Sequence, residues 1–251
     1  MQSALDQFRI SISRVRDLIA IHTSVKAQAT PELDLSDILR ATLVLSVSAL
    51  DYYIHEVVTL GMLEIYRGQR PEPAPSANTS RSAFARFPVS LGGARQERAI
   101  ALTIADWLET EIQNNEGFSF LEQPRLLSEL LPAIERGMID RFNDTAWLED
   151  EIRENLSYKS FQQPDKIAEA IRSISDKRLW EEVGIKLEKP AREVKQQLTD
   201  LVDRRNKIAH EADIDPTFGI GERWELDENL VNDAVDFIEQ LAESIHQVIA
   251  T

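Results

Sequence analysis

A chain of 251 residues, 43% hydrophobic and without a single cysteine, is long enough for a packed core but has no means to build a disulfide framework, a cysteine zinc site or a thiol nucleophile. Its 28 Lys and Arg stand against 43 Asp and Glu, a net charge of −15 that excludes bulk coating of a polyanion. Any nucleic-acid site must then be a local basic patch.

The first twenty residues, MQSALDQFRISISRVRDLIA, scatter Asp6, Arg9, Arg14, Arg16 and Asp17 through the stretch where a signal peptide needs an uninterrupted apolar run. No export signal is expected, and cytoplasm is the expected compartment. Leu5, Phe8, Ile12, Val15 and Ile19 recur at the spacing of one helical stripe and predict a helix from about Ser3 to His22. A second helix should open after a cap at Asp34 or Ser36 and stop at Gly68. Its apolar run, ATLVLSVSAL at 41–50, is closed by Asp51, His55 and Glu56, well short of the roughly 20 residues a membrane span needs. This segment is expected to be the buried central helix.

Residues 69–94 hold Pro71, Pro73, Pro75, Pro88 and the Gly92-Gly93 pair, which suit an irregular exposed loop over about 68–95. From Arg67 to Arg98, six arginines (67, 70, 81, 86, 95 and 98) face two glutamates, so the stretch is either a solvated loop or one that approaches RNA or a partner. Three further helices are expected over Gln96–Asn114, around Pro124–Arg136 and over Asp140–Leu156, with Trp107 and Trp147 as packing residues. Pro164 suits a first helical turn, where its missing N–H costs nothing. A short helix over SDKRLWEEVG should end at Gly184, and a longer one should run from Pro190 to His210, ahead of Asp215-Pro216. FGIGERW, 218–224, is a turn whose GxG lacks the preceding strand of a phosphate loop. The last helix, from Asp227 to about Ile249, should pack Leu230, Val231, Val235, Ile238, Leu241 and Ile245. With no internal repeat and little strand alternation, the whole of 1–251 is expected to be one all-α domain around a long central helix.

On the 190–210 helix, Val194, Leu198, Leu201, Arg205 and Ile208 follow at spacings of four, three, four and three. Arg205 therefore occupies a position reserved for an apolar side chain, where a charge is expensive unless it is paired or faces a cleft. Asn206 and His210 lie one turn apart on a neighbouring stripe with Thr199 and Val202. Asp200 with Arg204, Asp203 with Lys207, and Lys207 with Glu211 have the spacing of solvated ion pairs, so Arg204 is expected at the surface and Arg205 away from it. Two readings stay open: Arg205 and His210 close a buried polar network with an acid such as Asp51, or they line a functional cleft.

RNKIAH, 205–210, fits the R-polar-x3-H form of the Rx4-6H motif of the HEPN (higher eukaryote and prokaryote nucleotide-binding) superfamily. LSYKSFQQPDKIAEAI, 156–171, resembles the s-F-q-x-P-x-K-I segment of the RiboL-PSP-HEPN family, and VSALDYYIHEV, 47–57, resembles that family's second long helix. The resemblance implies an all-α HEPN-like bundle and a metal-independent endoribonuclease that works as a homodimer without cofactor. It also implies that Arg205 and His210 are catalytic, with Asn206 as polar companion and Asp51 as acidic companion, and that two copies of this set meet at the dimer interface. A toxin or antiphage role, with a neutralising partner protein, follows from the same analogy.

In such a reaction a histidine near neutral pKa takes the proton of the RNA 2′-hydroxyl, a second gives one to the leaving 5′-oxygen, and an arginine fork holds the phosphate. A metal site competes weakly: Asp51 and His55 share a helix face that His210 would have to join, and HEVVT lacks the second histidine of HExxH. His55 is expected in the core or an interface, and His22 and His246 are explained by helix ends. The rival of another class is a non-catalytic HEPN-like dimerisation or nucleotide-binding module. No membrane contact is expected.

Overall fold

The computed structural model describes residues 1–30, 33–75, 79–88, 108–217 and 221–250. Its helices are α1 (Gln2–Lys26), α2 (Ser36–Tyr66), α3 (residues 108–116), α4 (Leu127–Asn143), α5 (Ala146–Ser157), α6 (Pro164–Ile171), α7 (Leu179–Lys186), α8 (Ala191–Glu211) and α9 (Glu228–Ala250). Among the described residues the only strand-like pairing is an isolated bridge between Ile214 and Arg223. The fold is all-α, as the periodicity predicts. The chain divides into two compact units, Met1–Arg86 with Lys159–Thr251, and Phe87–Tyr158.

In the first unit α2 is the central helix. It packs against α1, α9, α8 and α6, and Val47, Leu50, Tyr53, Ile54 and Val57 along it have no exposed surface. By length and composition α2 would cross a membrane, but 56% of its most apolar window is buried inside the fold. The stripe Leu5, Phe8, Ile12, Val15 and Ile19 of α1 is buried, as are Val231, Val235, Ile238, Leu241 and Ile245 of α9. Leu230 departs from the expectation: it sits in the first turn of α9, off the stripe, and is 54% exposed.

Local chemistry accounts for the helix boundaries. The Asp34 carboxylate accepts the Ser36 N–H at 2.8 Å and opens α2. Pro164 occupies the first turn of α6, and Trp180 donates its indole N–H to the Pro164 carbonyl. Gly184 does not stop its helix, since α7 runs on to Lys186. The glycine serves close packing instead: a Cβ there would stand 2.7 Å from the Lys189 carbonyl oxygen.

Arg70, one of the loop arginines, is a structural clamp. It donates to the Glu64 carboxylate and to the Ile249 carbonyl, and Glu64 also receives the N-terminal ammonium. Arg86 donates to the Ser82 carbonyl. Arg95, Arg98, Gly92, Gly93 and Trp107 lie outside the described residues.

In the second unit α4 continues through Asp140, where a new helix was expected, and ends at Asn143. The carboxylate of Asp144 accepts the Ala146 N–H and starts α5 there instead. Leu148, Ile152 and Leu156 form the buried face of α5, and Trp147 meets Phe142 edge to face.

Candidate functional site

The inward side chains of α8 are Val194, Leu198 and Val202, at spacings of four. That row drifts around the helix, so Leu201, Arg205 and Ile208 end on the edge of the buried face, half exposed. Arg205 thus occupies a rim between core and solvent. Its Nη1 donates to the side-chain oxygen of Asn206 at 3.0 Å, and its Nε is shielded from solvent with no hydrogen-bond partner among the described residues. No described carboxylate pairs with it. His210 is exposed in the last turn of α8, one turn from Asn206 on the same face and about 7.5 Å along the axis from Arg205.

Asp51 does not join this set within the chain. Its carboxylate accepts the Phe161 N–H at 2.6 Å and the Gln162 side-chain amide at 3.0 Å, and lies 3.7 Å from His55 Nε2. The central-helix acid and the FQQP segment, quoted separately in sequence, are therefore bonded to each other. The half-buried His55 ring packs on Phe161 with 4.6 Å between centroids. Among the described residues no group of three or more His, Asp or Glu is placed to hold a metal ion.

Arg204, expected at the surface, belongs to a buried cluster. Its Nη2 donates to Asp213 Oδ2 at 2.9 Å and to the Trp224 carbonyl at 3.1 Å. Arg40 reaches the same two acceptors at 2.7 and 2.9 Å, and Asp213 has no exposed surface. Desolvation pulls the Arg204 pKa down, the attraction of Asp213 opposes it, and the neighbouring Arg40 charge adds to the fall. The acid that claims Arg204 lies beyond the helix end, outside the reach of i,i+4 spacing. Ala212 and Asp213 adopt φ of 51° and 59°, the Asp213 N–H returns to the Lys207 carbonyl at 3.0 Å, and the chain doubles back along α8.

The other expected surface pairs on α8 give way to different contacts. Lys207 sits over the Trp224 ring, 4.8 Å from its centroid, and Asp200 accepts from Gln196. Arg40, Asp213 and Trp224 went unnoticed in the sequence. One signal was available, because Arg40 is the only lysine or arginine in α2.

The two helix-end histidines have tertiary partners. His22 is buried with Nδ1 2.7 Å from the Glu228 carboxylate, and His246 Nδ1 lies 3.3 Å from the Tyr53 hydroxyl. Burial lowers the His246 pKa.

α2 also leaves an outer stripe uncovered. Ile38, Ala41, Leu45, Ser48 and Tyr52 recur at spacings of three and four, are half or fully exposed, and carry no charge. Leu45 and Tyr52 are 48% and 51% exposed.

Compared with known proteins, residues 98–251 match the RiboL-PSP-HEPN family model, well over half of the chain. No curated protein and no solved structure gives a match.

Proposed function

The chain belongs to the RiboL-PSP-HEPN family, and on that premise we propose that it is a metal-independent endoribonuclease cutting RNA at a composite site in a homodimer. The observation that carries this reading is the state of Arg205. A guanidinium held at a rim without a described carboxylate partner, and aligned by Asn206, is a cation kept available for an anion.

In this mechanism His210 accepts the proton of the 2′-hydroxyl, the 2′-oxygen attacks phosphorus, and the P–O5′ bond breaks. His210 of the second copy protonates the leaving 5′-oxygen, giving a 2′,3′-cyclic phosphate and a 5′-hydroxyl. Arg205 holds the phosphate and stabilises the charge that develops on it, and Asn206 fixes the plane of the guanidinium. Asp51 acts here as a positioning residue that holds the 161–162 segment against α2. DNA, lacking the attacking hydroxyl, is not cut.

The uncharged α2 stripe supports the dimer. In a chain of net charge −15 it is a surface with no charge of its own to repel a second copy, and Ala41 and Ser48, on either side of Leu45, let a second α2 approach closely. A cytoplasmic toxin or antiphage effector, restrained by a partner protein, is the biology this activity fits.

The overall acidity favours a second reading, a HEPN module that binds a nucleotide or partner without cleaving. The two separate in one experiment: purified protein, excess EDTA and end-labelled structured RNA, with Arg205→Ala and His210→Ala alongside. Cyclic-phosphate ends that vanish in both variants support the nuclease. Intact RNA with folded, dimeric protein favours the binding module.

A further inference from the structure

We propose that Trp224 and Lys207 form a nucleotide subsite beside His210, where the base of one unpaired RNA nucleotide stacks on the indole and Lys207 takes a neighbouring phosphate. This inference rests on the ribonuclease reading and extends it to how single-stranded substrate is gripped.

The backbone of Trp224 is pinned on both sides. Its N–H donates to the Asp213 carbonyl at 3.0 Å, and its own carbonyl accepts from Arg40 at 2.9 Å and Arg204 at 3.1 Å. Those arginines in turn converge on the fully buried Asp213 carboxylate. Yet the side chain so firmly based is only partly buried. Trp180 shows what a tryptophan serving the core looks like here: 6% exposed, with its indole N–H bonded to Pro164. Trp224 instead offers a rigid aromatic face with little ordering entropy left to lose.

Lys207 covers that face, its ammonium 4.8 Å from the ring centroid. On α8 it lies three residues before His210, hence about 4.5 Å along the axis and on an adjoining face. A cation resting on an aromatic ring near the scissile position has two uses in one binding event. The base takes the ring face, because every base has a π surface, and the ammonium moves a few ångströms on its flexible stem to a phosphate.

Trp224 also lines an open cavity of about 500 Å³ together with Ser36, Arg223, Glu225 and Asp227. Four carboxylates line it, those of Asp34, Glu222, Glu225 and Asp227, and its two arginines are already paired, Arg223 with Asp34 and Asp37 and Arg40 with Asp213. Carboxylates repel phosphate but accept hydrogen bonds from exocyclic amino groups, so the cavity suits a base and not the backbone. Duplex RNA keeps its bases stacked inward, which makes single-stranded RNA the substrate that this subsite selects.

The test is fluorescence anisotropy with a labelled single-stranded 2′-O-methyl oligonucleotide, which has no free 2′-hydroxyl to attack. Wild type, Trp224→Phe, Trp224→Leu and Lys207→Ala are titrated over a range of salt. Trp224→Leu should weaken binding roughly 10- to 100-fold while Trp224→Phe stays within about 3-fold. Lys207→Ala should weaken it and lower the log–log salt slope by about 0.7, the loss of one phosphate contact. Leucine binding as well as tryptophan, phenylalanine failing as badly as leucine, or an unchanged salt slope in Lys207→Ala would each overturn the subsite. Cleavage of ordinary RNA by the same wild-type protein keeps the two ideas apart: cutting with no Trp224 dependence sinks the subsite alone, and Trp224-dependent binding without cutting sinks the nuclease alone.

Discussion

Arg40 and Arg204, 164 positions apart, share a single carboxylate oxygen: both donate to Oδ2 of Asp213, at 2.7 and 2.9 Å. This fully buried acid joins the start of α2 to the end of α8. Asp213→Ala leaves two guanidinium groups without their anion, one of them 7% exposed, and should cost about 3–5 kcal/mol of stability. Arg204→Ala, at 19% exposure and with Arg40 still in place, should cost clearly less. Denaturant unfolding of both variants checks the ranking, and a loss below about 1 kcal/mol in Asp213→Ala would show that the cluster does not hold the arm.

Ala212 closes α8 at φ 51° and ψ 23°, a left-handed conformation that an alanine adopts at a cost and glycine adopts freely. Ala212→Gly should therefore stabilise the protein by about 0.5–1 kcal/mol, despite removing a side chain. A fall in melting temperature in the variant would contradict this account of the turn.

Cleavage should depend on the shape of the Arg205 head group as well as on its charge. Arg205→Lys keeps the charge but loses the planar fork and its bond to Asn206, and is expected to fall at least about 100-fold in kcat. Asn206→Ala removes the alignment alone and should lose about 10-fold. Single-turnover rates in EDTA decide, and full activity in Arg205→Lys would reduce the arginine to a general cation.

If the uncharged α2 stripe is the seam between copies, then Leu45→Asp places a charge at its middle without touching the core. Sedimentation should show monomers that keep the helical spectrum of the wild type, with RNA cleavage abolished. Active monomers would remove the composite site from the proposal.

Stability should respond to pH through His246, whose pKa is lowered from its ordinary 6.5 mainly by burial. In the folded state the ring resists its proton, while in the unfolded chain it binds one below about pH 6.5, so the unfolded state takes up more protons as pH falls. Folding stability should thus be fully present above the ordinary histidine value of 6.5 and be lost as pH falls below it. His246→Gln should flatten that slope, and melting curves at several pH values measure it.

Helix identity and the packed faces of α1 and α9 could be read from spacing because core packing repeats with the helical period. Leu5 through Ile19 and Val231 through Ile245 need no knowledge of their neighbours to be recognised as buried. The family resemblance was legible for a similar reason: its motifs are short, local runs. Arg205 stood out because the row that includes it is otherwise apolar.

What periodicity misjudged was each place where a distant group meets a helix. The i,i+4 rule assigned Arg204 to Asp200, but after the left-handed turn at 212–213 a fully buried aspartate competes for the same guanidinium and wins by being desolvated. The Asp51 carboxylate meets Phe161 and Gln162, about 110 residues onward, in part through a backbone N–H that no sequence pattern advertises. The sequence by itself determined the helices, the apolar faces and the presence of an Arg–Asn–His set. Tertiary structure alone decided which charges pair, which arginine stays available, and that Lys207 rests on Trp224, because those outcomes depend on distances between elements that local periodicity does not encode.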